Sequence, residues 1–92
     1  MTRIKITQLI WDEWNSEHIK KHKVTVVEVE EAIGNINTHR EGYEGRIFFI
    51  GRSGKRILAI LVKPKENKMY YVVTVRDADK KERRQVYENE KK

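Results

Sequence analysis

Ninety-two residues suffice for one modest hydrophobic core and are too few for two, so a single domain spanning 1–92 is expected. The absence of cysteine excludes a disulfide framework and a thiolate metal site, and no apolar run approaches the roughly 18 residues of a spanning helix; a soluble cytoplasmic protein with no membrane partner is the expectation. The formal net charge of +6 suits an anionic partner, and its placement is uneven: residues 25–45 carry one arginine against five glutamates, whereas residues 46–75 carry seven basic residues against Glu66 alone.

In chain order, IKITQLIW alternates loosely enough for a short strand. DEWNSEHIKKHKV then has helix-forming composition, and a helix is predicted from about Glu13 to His22 with Trp14, Ile19 and either the stem of a lysine or the ring of His22 on its inner side. Thr25 and Glu28 have capping-box spacing, so a second helix starts there, with Val26, Val29, Ala32 and Ile33 as its apolar stripe and Gly34-Asn35 as a left-handed stop. From Asn37 the period becomes strand-like. THREGY, RIFFIG, KRILAILVK and KMYYVVTV are extended pieces separated by turn residues, and Ser53-Gly54 predicts a tight hairpin. Asp79 and Glu82 repeat the capping-box spacing and open a third helix. The predicted class is α+β: two N-terminal helices, an antiparallel meander of about four strands, a C-terminal helix, and the helices together on one face.

Two patterns carry chemistry. His18 and His22 stand at i and i+4, the spacing of a two-histidine metal site, but no glutamate follows the first histidine and Lys20 and Lys21 repel a divalent cation; neither a metal nor a cofactor is implied. The second is the run from Arg76 to Tyr87. RNA cleaves itself once its 2′-hydroxyl loses a proton and attacks the adjacent phosphate, so a protein catalyst needs a base, cations over the phosphorane and an acid for the leaving oxygen, and no metal. Arg76, Lys80, Lys81, Glu82, Arg83 and Tyr87 offer these types, and on a helix Lys80, Arg83, Arg84 and Tyr87 are three or four apart. By pattern alone, an exposed helix laced with ion pairs fits equally well.

Three blocks resemble the BrnT toxin family. WDEWNSEHIKKHKVTVVEVEEAI is similar to its opening block, GRIFFIGRSGKRILAILV to its central hairpin, and YYVVTVRDADKKERRQVYE to its closing block, in which a strand delivers an arginine into a basic helix ending in tyrosine. The resemblance implies a RelE-like fold and a metal-independent ribonuclease that arrests growth. It also implies an RNA substrate, a ribbon-helix-helix antitoxin of the BrnA kind, and contact with promoter DNA only through that antitoxin. It places the family's basic-helix motif on Arg76, Lys81, Glu82, Arg83 and Tyr87 and its Lys-His pair on Lys21 and His22, with Arg76, Glu82, Arg83, Tyr87, Lys21 and His22 as the catalytic set. Two departures stand out: Lys23 follows His22 where the family commonly has glycine, and Val75 precedes Arg76 where a small residue is common.

The leading expectation is that Arg76 and Arg83 clamp the scissile phosphate, with Glu82 or His22 as base and Tyr87 or a lysine as acid. Arg52, Arg56, Lys63, Lys80 and Lys81 would hold the RNA backbone, and Tyr70 or Tyr71 would stack bases. The alternative is a non-catalytic RNA- or protein-binding module that acts with an antitoxin as a transcriptional regulator.

Overall fold

The computed structural model describes residues 8–91, so the first part of the IKITQLIW segment lies outside the described residues. Five strands, β1 (Gln8–Ile10), β2 (Ile36–Glu41), β3 (Ile47–Ser53), β4 (Arg56–Pro64) and β5 (Met69–Asp77), form one sheet in the order β1-β5-β4-β3-β2. Helices α1 (Glu13–Lys20) and α2 (Val26–Gly34) lie between β1 and β2, and α3 (Lys80–Glu90) closes the chain. The predicted meander β2-β3-β4-β5 is present, but the sheet is mixed: β1 pairs parallel with β5, through Gln8 opposite Met69 and Ile10 opposite Tyr71. A parallel neighbour needs a crossover, and here the rest of the chain supplies it.

The helices do not share a face. Leu58, Ile60 and Val62 of β4 join Ile19, Val24, Val29 and Ala32 in one buried cluster, whereas Ile57 and Ala59 pack with Ile50, Ala78 and Val86 in another. Alternate residues of a strand point to opposite faces, so α1 and α2 cover one side and α3 the other. The sequence of β4 carries this in ILAILV, a continuous apolar run of the kind found where both faces are buried. Gly51 of β3 lets α2 approach: a Cβ there would stand 2.1 Å from the Ala32 carbonyl oxygen. The β3–β4 hairpin turns through Gly54-Lys55 with Gly54 at φ +60°, which suits a two-residue turn with glycine first.

All three helices begin with reciprocal caps. Thr25 with Glu28 and Asp79 with Glu82 behave as their spacing predicts, and Asp12 with Asn15 adds a third pair. Asn15 is fully buried, and its amide donates to the carbonyls of Ile10 and Val72 at 2.9 and 3.0 Å, which ties α1 to both β1 and β5. α1 ends two residues earlier than predicted, and α2 ends at Asn35 with φ −127°, not in the left-handed region.

A left-handed residue instead ends the turn after α1: Lys23, at φ 57°, a conformation that Glu44, Asn67 and Lys68 also adopt in the strand connections. That conformation costs a non-glycine residue about 1 kcal/mol. Arg56 offsets it: its Nη1 donates to the Lys23 carbonyl at 2.8 Å and to Glu28 Oε2 at 3.1 Å, its Nη2 to the His22 carbonyl at 3.2 Å, and its Nε to Asp77 at 2.7 Å. One guanidinium therefore joins the α1–α2 turn, the cap of α2 and the end of β5. Arg56→Ala should lower unfolding free energy by about 2–3 kcal/mol, since charged hydrogen bonds lose their donor at a mostly covered site. Lys23→Gly should raise it by up to about 1 kcal/mol; chemical denaturation of both variants measures these shifts.

Candidate functional site

α1 and the residues that flank it run alongside β5, with further contacts beyond the Asn15–Val72 bond. Asp12 accepts from the Tyr71 hydroxyl at 2.8 Å, His18 Nε2 lies 3.1 Å from Thr74 Oγ1, and at the far end His22 and Arg83 both stand near Asp77. The Asp77 carboxyl sits below its ordinary range because Arg56 donates to it, with the Arg56, Arg83 and His22 charges adding to the effect against a smaller cost of burial. β5 thus carries the edge contacts of α1 on one side and delivers Arg76 to the start of α3.

Arg76 meets Glu82 there through two parallel bonds, Nη1 to Oε1 at 2.7 Å and Nη2 to Oε2 at 3.0 Å. The Glu82 side chain is only 8% exposed, and it also takes the Asp79 N–H at 2.8 Å and Arg40 Nη2 at 3.3 Å. Burial by itself would raise the Glu82 pKa, but the Arg76 bonds, the Asp79 N–H and the charges of Arg76 and Arg40 together bring it below its ordinary value. A carboxylate so saturated with donors is a poor proton acceptor and a good anchor. Both guanidiniums lie over Phe48, Arg40 at 4.8 Å and Arg76 at 5.5 Å from the ring centroid.

α3 roofs only part of its side of the sheet. Phe48, which packs against the edge of the cluster capped by Val86, and Leu61 are half-buried and paired across β3 and β4, and Thr74 pairs with Leu61 on the same face. The result is an open sheet floor with arginines over an aromatic ring, flanked by α1 and by the first turn of α3. Beside it, between β2 and α3, is a cavity of about 260 Å³ lined by His39, Arg40, Lys81, Glu82 and Gln85 among others.

The residues singled out from sequence fall into separate places. Arg76 and Glu82 are in contact; Arg83 and His22 share Asp77 as neighbour; Lys81 lines the adjoining cavity. Arg83 Nη1 donates to the Ala78 carbonyl at 2.6 Å. Lys80 is exposed at the start of α3, and Lys21 borders a depression beside Trp14. Tyr87 lies one turn beyond Arg83, with Arg52 over its ring at 5.8 Å, and Arg52 is paired with Glu90 at 3.0 Å. Lys63 is exposed beyond Leu61 on β4 and pairs across the sheet with Tyr71, away from α3.

Two expectations need correction. Arg56 spends its donors within the protein, so its role is architectural, and Tyr70 is buried against Phe49, which leaves it unable to stack a base. His18 and His22 do lie close, with ring centroids 5.8 Å apart, but His18 is stacked on Trp14 and bonded to Thr74. Among the described residues no group of three His, Cys, Asp or Glu side chains is arranged to hold a metal ion. Sequence reasoning missed Arg40, whose position in the acidic stretch concealed it, and Trp14, assigned there to the inner side of α1 but exposed. An arginine two residues after Thr38 on a strand, amid glutamates, gave no signal that the sheet would carry it to Glu82.

No family model matches the chain, and no curated protein matches it either. Among solved structures, the crystal structure of the ribonuclease toxin BrnT of Brucella abortus superposes with a TM-score of 0.63 at 25% sequence identity, covering 79% of this chain and 97% of that one. The similarity suggested by the three sequence blocks therefore extends to three dimensions, and the chain is BrnT-like in fold over most of its length.

Proposed function

We propose that this chain is a ribonuclease toxin that cuts RNA on the open sheet floor between α1 and the start of α3. The observation that carries the reading is the Arg76–Glu82–Arg40 cluster over Phe48, in a fold shared with a ribonuclease toxin. Arg76, held in one orientation by Glu82, and Arg83, whose guanidinium donates to the Ala78 carbonyl, contact the scissile phosphate and the charge that builds on it. Glu82 positions Arg76 and does not act as base. The 2′-hydroxyl proton passes to an imidazole, His22 or His18; the freed oxygen attacks phosphorus and closes a 2′,3′-cyclic phosphate. The 5′-oxygen leaves with a proton from Tyr87 or from a lysine of α3's first turn. Each of these steps proceeds without a metal.

Lys80, Lys81 and Lys63 hold flanking phosphates, and Lys21 does so along α1. The toxin acts in the cytoplasm and is restrained by a ribbon-helix-helix antitoxin, through which alone it reaches promoter DNA. The full engagement of Arg76 by Glu82 favours a second reading, in which this floor binds RNA without cutting it. Incubation with naked single-stranded RNA in excess chelator separates the two: fragments ending in cyclic phosphate are expected, and intact RNA bound to the protein would leave the binding module.

Arg83→Ala should slow cleavage by about 100-fold or more, as loss of one preorganised donor to a transition state does. Its melting temperature should change little, because an exposed helical substitution alters stability by about 0.5 kcal/mol. Lysine at that position should restore only part of the rate, since it cannot make paired contacts. Unchanged cleavage by a folded Arg83→Ala protein would remove this residue from the site.

The depressed Glu82 and Asp77 carboxyls fix the sign of the acid response. Their folded pKa values lie below the unfolded ones, so the stability they add is complete above the ordinary carboxylate range and is lost as pH falls through the folded values. Thermal melts should therefore fall steadily below about pH 4.5, the ordinary glutamate value. Glu82→Gln should be less stable at neutral pH and should show a flatter decline; a parallel decline would mean that Glu82 is not ionised in the fold.

A further inference from the structure

Trp14 is 59% exposed, yet its ring is fixed. It lies flat on His18, with planes 7° apart and centroids at 5.0 Å, and His18 is held in turn by Thr74. Thr74 precedes Arg76 by two residues on the same face of β5, about 7 Å along the strand. One face of the indole is thus committed to a rigid chain that leads to the arginine, and the other is open. We infer that the open face of Trp14 is a stacking subsite for one unpaired nucleobase of a single-stranded RNA whose phosphate lies toward Arg76 and Arg83. This rests on the RNA reading above and names a determinant of which segment of RNA is held.

The surroundings select a base over other occupants. The depression beside the indole is lined by Glu13, Glu17, His18 and Lys21. Glu17 is paired with Lys20 at 2.9 Å, so Glu13 is the carboxylate that accepts from the amino group of a base edge, and Lys21 at the border can hold the phosphate that follows. A charged rim of this kind suits a flat, polar-edged base better than an aliphatic side chain. The other exposed aromatics are less suited: Tyr87 has Arg52 over its ring, and Tyr43 stands in the β2–β3 turn at the opposite side of the sheet.

The test uses the whole chain and a single-stranded oligonucleotide with 2′-O-methyl groups, which binds but cannot be cut. Indole fluorescence should fall on binding to the parent. Trp14→Leu should bind about 10-fold more weakly, the range for loss of one base–aromatic stack, with an unchanged slope of affinity against salt, because no phosphate contact is lost. Trp14→Phe should recover most of the affinity, while Arg83→Ala should reduce the slope. Equal affinity of Trp14→Leu and the parent overturns the subsite and leaves the RNA reading standing; a parent that binds no RNA overturns the RNA reading itself. If Trp14→Leu keeps its RNA affinity but escapes an inhibitory protein partner, the indole belongs to that partner and the subsite is again overturned.

Discussion

A carboxylate buried to the extent of Glu82 is tolerated in a protein interior only if cations and N–H groups replace the water it has lost. Here they come from three directions: Arg76 from β5, Arg40 from β2, and the backbone of Asp79 from the start of α3. Because β5 and β2 are separated by two strands, the carboxylate sets the position of α3 over the whole width of the meander. It also holds two guanidiniums over Phe48 that would otherwise repel each other. The open floor owes both its shape and its charge to this arrangement: α3 is anchored at its first turn over Ile50, Ile57 and Ala59, and Leu61 and Thr74 lie beyond that cluster.

The flank of the floor, where α1 meets β5, solves a different problem. α1 lies along β5 and is fixed by the buried amide of Asn15, the Asp12–Tyr71 bond and the His18–Thr74 contact. The turn that follows contains a left-handed lysine held by Arg56. Arg56 also reaches Asp77, so the strand that delivers Arg76 is braced one residue beyond it. Rigidity at Thr74, Arg76 and Asp77 together is what the proposed phosphate clamp requires, since a preorganised donor pays no reorganisation when charge develops.

Much of this was legible in the chain. The spacings Thr25–Glu28 and Asp79–Glu82 located two helix starts, the Ser-Gly turn located the hairpin, and the change of period after Asn37 separated helices from sheet. What escaped depended on the third dimension. A three-residue strand such as β1 has too short a pattern to announce a parallel pairing with a strand sixty residues away. The two-sided burial of β4 was written in ILAILV but is ambiguous until a helix is known to lie on each face. The partner of a charged residue has no local signature at all: Arg56 and Arg76 look alike in sequence, yet one is consumed by turns and caps and the other faces the open floor. Residue type identified the chemistry available, and only the sheet register decided which groups share it.

A crystal structure of the chain bound to a 2′-O-methyl single-stranded RNA tests the central claim most directly. A phosphate within hydrogen-bonding distance of Arg76 or Arg83, with the strand crossing the floor over Phe48 and Leu61, is the predicted result. RNA seated instead on α2 and the acidic surface around Glu28, Glu30 and Glu31, with the floor empty, would contradict it.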